Sequence, residues 1–245
     1  MKFYITFLFT LLTASATFAE PESATKSFNS GEKQVQLIEL FTSEGCSSCP
    51  PADRWMSSLT QKEELWSRYV PIAFHVDYWN YLGWKDPFSS SSFSQRQRKY
   101  QRYGNINSVY TPGFVVAGKE WRSWFGLRRE LPEQRSYTPG NLKLTVNGDR
   151  YHASFKSNIG DQVLSLHVAL LGMDISTDVP RGENAGKKLN HDFVALSLDS
   201  NNSKSNIWQG QLPKAPKNAG DVAVAAWVTT INNPTPIQAV GGFLP

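Results

Sequence analysis

Cys46 and Cys49 are the two cysteines of this 245-residue chain, spaced Cys-x-x-Cys within the stretch ELFTSEGCSSCPPAD from Glu39 to Asp53. Thiols at that spacing can cycle between dithiol and disulfide, supply two soft ligands to a metal, or close a fixed structural bridge. The apolar run Val35–Phe41 leads into a Thr-Ser-Glu-Gly turn, and Pro50-Pro51 follows the second cysteine. Proline suits the first turn of a helix, where an N–H would have no partner anyway. A strand, a turn and a helix start are therefore expected, with Cys46 at the helix N-terminus. Unpaired backbone N–H groups and the positive end of the helix dipole would stabilise a thiolate there. Cys46 is the expected nucleophile, and Cys49, one turn further on, the expected resolving thiol.

These residues need a scaffold. The periodicity predicts a helix over Ala52–Tyr69 and a strand over Val70–Trp79, which with the first strand make a β-α-β unit. A helix is expected from Asp86 to Tyr103 and a third strand over Val109–Gly118, entered by the Thr111-Pro112 step. Asp77, Tyr78 and Trp79 fall at the end of their strand, the edge where open α/β sheets place their sites, and are expected to line a substrate-binding cleft beside Cys46. Past Gly140 the pattern changes to short alternating runs separated by Gly, Asn, Pro and Ser, as in Leu142/Leu144/Val146 and Tyr151/Ala153/Phe155. That texture predicts an antiparallel β-sandwich domain over 141–245.

At its start the chain has one lysine followed by an uncharged, largely apolar stretch to Thr17-Phe18-Ala19. Residues 1–19 are expected to be a cleaved signal peptide and 20–31 a flexible leader, which makes the protein periplasmic or secreted. No other segment approaches transmembrane length, so no stable membrane insertion is expected after cleavage. An oxidising compartment lets a cysteine pair cycle or stay oxidised. Without residues 1–19, which hold one lysine and no acid, the net charge falls from +4 to +3. That excess is too mild to point to nucleic acid, and the basic stretches Arg96–Arg102 and Lys119–Arg135 read as solvated helix faces.

Taken together, the strand, CSSCP at a helix start, FHVDYW and VYTPGFVVAG resemble the thioredoxin superfamily. Within it, FTSEGCSSCPPAD, FHVDYWNYLGWKDPF, RQR, VYTPGFVV and the later RGENAGKKLNH (Arg181–His191) closely resemble a family of secreted bacterial thioredoxin-like proteins catalogued as a domain of unknown function. The resemblance implies an α/β thioredoxin-like domain over 32–135, followed by the antiparallel β-sandwich. It implies that Pro112 is a cis-proline facing the disulfide and that Thr111 offers backbone groups to a partner strand. It also makes Glu39 the candidate buried acid that relays protons to Cys49, although Glu39 lies seven residues before Cys46 where the family pattern has six.

The expected function is thiol–disulfide exchange with thiols or disulfides of another exported protein, sustained by a redox recharging partner and needing no cofactor. Two alternatives stand beside it. Cys46, Cys49 and His75 could form a copper site of the metallochaperone kind, with His152, His167 and His191 far along the chain. Alternatively, the pair is an inert disulfide in a binding module. A hydrolase is disfavoured, since Ser89–Ser94 has no Gly-x-Ser-x-Gly context and no His-Glu-x-x-His occurs.

Overall fold

A computed structural model of the protein describes residues 25–126, 129–134, 136–213 and 220–245. The expected signal peptide, 1–19, lies outside them. The first part of the chain forms β1 (Thr25–Asn29), β2 (Gln36–Thr42), α1 (Pro50–Ser58), β3 (Tyr69–His75), α2 (Ser91–Arg102), β4 (Gly113–Val116) and β5 (Lys119–Glu120). The remainder forms β6 (Gly140–Asn147), β7 (Arg150–Ser157), β8 (Leu164–Gly172), β9 (Ile175–Val179), β10 (Lys187–His191) and β11 (Val194–Ala195). β12 (Asp199–Ser203), β13 (Ile207–Gln211), β14 (Val222–Thr230) and β15 (Gln238–Phe243) complete it. No helix among the described residues is long and apolar enough to cross a membrane.

The expected α/β thioredoxin-like domain followed by a separate β-sandwich is overturned by the sheet topology. Strands from both halves of the chain share one nine-stranded sheet, ordered β15-β14-β8-β11-β3-β2-β4-β5 with β12 also on β8. Only two α-helices occur among the described residues, and the structure is mostly β-sheet. The junction is β11, where Val194 pairs parallel with Ala73 of β3 and antiparallel with Gly172 of β8. A second sheet, β1-β6-β7-β13, covers one face of the β8–β14–β15 end. Physically, β8 and β14 are apolar on both faces. Leu164, Leu166, Val168, Val224, Ala226 and Val228 face the core shared with the second sheet. Ala169, Leu171, Ala223, Ala225 and Trp227 face the core of the β2–β3 half. A strand buried on both sides reads as a continuous apolar run such as VAVAAWV, and it needs layers on both faces.

A second correction concerns residues 25–31, the described part of the expected leader 20–31. Thr25–Asn29 of this expected leader pair in register with Asn147–Lys143 of β6, and Phe28 packs on the second core. The expected helix over 52–69 is also shorter, ending at Ser58 and followed by a 3-10 turn at Leu59–Gln61.

The β-α-β unit itself is present. β2 and β3 are parallel, from Gln36 opposite Tyr69 to Thr42 opposite His75, and every residue in both strands is buried. α1 and α2 flank opposite faces of β2. Thr42 bonds to Asp53 of α1, while Glu39, three positions earlier, bonds to Arg96 and Tyr100 of α2. An odd separation along a strand puts side chains on opposite faces. Within α2, Phe93, Arg96, Gln97 and Tyr100 form the buried stripe at helical spacing. The RQRKYQR stretch is thus not uniformly solvated, because Arg96 points into the protein.

Candidate functional site: a buried disulfide over an acid–imidazole cluster

Beyond Thr42 the chain turns through Ser43-Glu44-Gly45 and reaches Cys46, whose N–H donates to the Ser43 carbonyl at 3.1 Å. Cys49 is the N-cap of α1, with proline next in the helix. Cys46 and Cys49 form a disulfide with their Cα atoms 5.4 Å apart, and both residues are 0% exposed. Gly45 is set by a close approach, since a Cβ there would lie 3.0 Å from Cβ of Trp79.

The Thr111–Pro112 peptide is cis. β4 pairs Phe41 with Gly113, so one step further along that register Pro112 lies beside Thr42, where the disulfide turn begins. Trp79 donates from Nε1 to Thr111 Oγ1 at 2.7 Å, and so touches both the Gly45 turn and the proline loop. Tyr78 donates to Gln97 Oε1 at 3.0 Å, and Gln97 Nε2 donates to the Tyr110 carbonyl at 2.6 Å. Asp77 instead accepts from the Ser94 hydroxyl of α2. Trp79, Tyr78, Thr111 and Pro112 are therefore brought together, whereas Asp77 serves to anchor α2. Gln97 was absent from the sequence expectation, though its place on the buried stripe of α2 is readable from helical spacing.

Under the disulfide turn lies a group of five buried titratable side chains, Glu44, Asp53, His75, Asp86 and His191. His75 Nδ1 is 2.7 Å from Asp86 Oδ2, which also accepts from the Glu44 N–H at 2.8 Å. Glu44 Oε2 accepts from Trp84 Nε1 at 2.7 Å, and Asp53 Oδ1 accepts from the Thr42 hydroxyl at 2.9 Å. His191 lies between them, with Nε2 3.4 Å from Glu44 Oε1 and Nδ1 3.9 Å from Asp53 Oδ2. Among the described residues, neither ring nitrogen of His191 has a hydrogen-bond partner, nor do His75 Nε2 and Glu44 Oε1. A pocket of about 100 Å³, lined in part by Pro50, Asp53, Arg54, Lys188 and His191, opens onto this cluster from the α1–β10 side.

The charges follow from the pairing. Burial works against a charged imidazole at His75, but the Asp86 carboxylate and its hydrogen bond, with Asp53 and Glu44 beyond, raise it to about 9. Asp86 is correspondingly held below the usual carboxylate range by His75, despite its burial. Burial pushes Asp53 up, against the opposing pull of His191 and His75. His75 and Asp86 thus form an ion pair at neutral pH, while burial disposes Asp53 toward holding its proton.

Glu39, the expected proton relay, is corrected by this geometry. It is fully buried, but on the face of β2 opposite α1, and its carboxylate is held by Arg96 Nε at 2.6 Å and by the Tyr100 hydroxyl. The acid on the cysteine side is Asp53, four residues after Cys49 on the same helix. Its N–H bonds to the Cys49 carbonyl at 3.1 Å. That spacing was visible in CPPAD, and i, i+4 side chains share a helix face. The expectation that His191 lies remote from the cysteines is likewise corrected, because β10 packs against α1. His75, the proposed third copper ligand, uses Nδ1 on Asp86. Among the described residues, no three His, Cys, Asp or Glu side chains are grouped so as to hold a metal ion.

The segment Arg181–Gly186 reaches the same turn from the far half of the chain. Asn184, fully buried, donates from Nδ2 to the carbonyls of Glu44 at 2.8 Å and Cys46 at 3.0 Å. Its Oδ1 accepts from Lys187 Nζ at 2.9 Å. Glu183 Oε2 accepts from the Ser47 N–H at 2.9 Å. The sequence pattern had singled out RGENAG without placing it.

The chain matches the family described as "Protein of unknown function (DUF1223)" over residues 37–229. It belongs to that family. The matched span contains both cysteines, Thr111-Pro112, the acid–imidazole cluster and the RGENAG segment. Among solved structures, protein AGR_C_4864 from Agrobacterium tumefaciens is 24% identical with a TM-score of 0.58, the match covering 87% of this chain and 96% of that one. HBP35 of Porphyromonas gingivalis is 15% identical with a TM-score of 0.54, covering 86% of this chain and 76% of that one. These likenesses concern fold alone. Comparison with curated proteins finds no match.

Proposed function

We propose that this protein exchanges disulfides with another exported protein through Cys46 and Cys49. The observation that carries the reading is a disulfide in the turn that leads into α1, with Cys49 as the helix N-cap, beside a cluster of buried, partly unpartnered acids and imidazoles. A fixed bridge has no need of ionisable groups with unused donors and acceptors, which are costly to bury. Export is supported by the disulfide and by the uncharged apolar run after Lys2.

In the reducing direction, the Cys46 thiolate attacks a partner disulfide, forming a Cys46–partner bond while one partner sulfur leaves with its electron pair. Cys49 then loses its proton and attacks Cys46, re-forming the Cys46–Cys49 bond and releasing the partner's second sulfur. On this reading Asp53, four residues beyond Cys49 on α1, accepts that proton. The reverse sequence oxidises a partner dithiol. A recharging partner of thiol or disulfide chemistry restores the pair after each turnover. Half-buried Tyr78, Trp79 and Thr111, over the buried Pro112, are the residues that a partner strand would meet.

A second reading has one observation in its favour. Both sulfurs are inaccessible in this oxidised form, as in an inert structural bridge. Replacing Cys49 by Ala separates the two, because an exchanging Cys46 then accumulates mixed disulfides in the exported fraction, detectable as thiol-reversible adducts. A staple leaves Cys46 unadducted, and the wild type then also fails to reduce or oxidise a model substrate.

A further inference from the structure

The turn that carries Cys46, three residues before the Cys49 N-cap of α1, is contacted by a carboxylate from the other half of the sequence. The Glu183 carboxylate takes up the N–H of Ser47, the residue between Cys46 and Ser48, at 2.9 Å. Asn184 beside it ties the same segment to the Cys46 carbonyl, so the placement of Glu183 is enforced by a buried neighbour. Contact with Ser47 holds the Glu183 carboxyl below its usual range, so it is ionised at neutral pH.

We propose that Glu183 is a positioning residue that disfavours the Cys46 thiolate, and thereby biases the Cys46–Cys49 couple toward reducing its partner rather than oxidising it. The inference rests on the exchange reading above and deepens it by assigning a direction. A negative charge held on the backbone N–H of the residue next to Cys46 raises the free energy of a thiolate at Cys46, and so of the reduced pair. Pairs whose reduced form is stabilised are oxidants, and the opposite bias makes a reductant. Other charged groups face this turn. Glu44 is bonded to Trp84 on the turn's own segment, Asp53 and His191 lie beneath it, the His75–Asp86 pair lies beyond, and Lys187 is bonded to Asn184 within the arm. Glu183 is exposed, so its share can be removed without disturbing the buried set.

Glu183→Gln in the full chain tests this against buffers of reduced and oxidised dithiothreitol at low ionic strength. The reduced fraction is expected to rise by about 2–5-fold relative to the wild type. The pH midpoint of Cys46 alkylation in the reduced chain is expected to fall by about 0.3–0.7 unit, the same fold-change on a logarithmic scale. Both shifts shrink near 1 M salt, where the Debye length is about 3 Å, and Glu183→Asp restores the wild-type direction. Unchanged equilibrium and midpoint in Glu183→Gln, or shifts of opposite sign, overturn the inference while leaving exchange intact. A wild-type pair that never equilibrates with the buffer removes both readings.

Discussion

Two buried charged clusters lie on opposite faces of β2, and they differ in how completely they are satisfied. On the α2 face, Glu39 is bonded to Arg96 and Tyr100, while the Arg96 guanidinium lies 4.8 Å from the Trp227 ring centroid and 5.3 Å from that of Tyr100. Among its described partners, every charge there is answered. On the α1 face, Glu44, Asp53, His75, Asp86 and His191 keep four side-chain atoms without hydrogen-bond partners among the described residues. A saturated cluster holds packing in place, and an unsaturated one costs stability yet keeps proton-accepting capacity where the cysteines are. Burial alone therefore does not place an acid beside the cysteine pair; the face of β2 it lies on separates Glu39 from Asp53.

The largest test of that contrast is Arg96→Met. It strands Glu39 as an uncompensated buried charge, so unfolding in urea should move to lower midpoint by about 3–5 kcal/mol of lost stability. The thiol chemistry of the folded fraction should be unaltered.

A kinetic test sharpens the other side. Asp53→Asn should slow reduction of the disulfide by dithiothreitol at neutral pH by on the order of 100-fold, the scale of a lost general acid–base group. Glu39→Gln should leave that rate near the wild-type value in the folded fraction. Equal slowing in both variants would erase the distinction between the faces.

The third effect is a pH slope. His75 is raised from 6.5 to about 9 in the folded protein, so between those values the folded chain holds a proton that the unfolded chain releases. The stability this contributes is fully present below 6.5 and is lost as pH rises through about 9. Denaturation curves should show a fall approaching about 1 kcal/mol per pH unit within that window, and His75→Gln should flatten it.

Much of the site could be read from local sequence. CSSCPP announces a cysteine pair at a helix start, and the β-α-β unit follows from two apolar runs around a short amphipathic segment. What escaped was set by long-range pairing. LSLHVALLG and VAVAAWV carry apolar residues at nearly every position, so they are walls between two cores rather than one-sided sandwich strands. A count of residues from Glu39 to Cys46 says nothing of strand parity, which sends Thr42 and Glu39 to opposite helices. His191, Asn184 and Glu183 reach the disulfide because β10 docks on α1 and the segment before it crosses the turn. No local period encodes that contact.

Whether Cys46–Cys49 works as a redox couple is decided by its reduction potential. Titration of the full chain in dithiothreitol buffers is expected to give a reversible two-electron couple between roughly −270 and −120 mV, toward the reducing end if Glu183 acts as inferred. A bond that resists the reductant, with a potential below about −300 mV, would contradict the account and make the disulfide a staple.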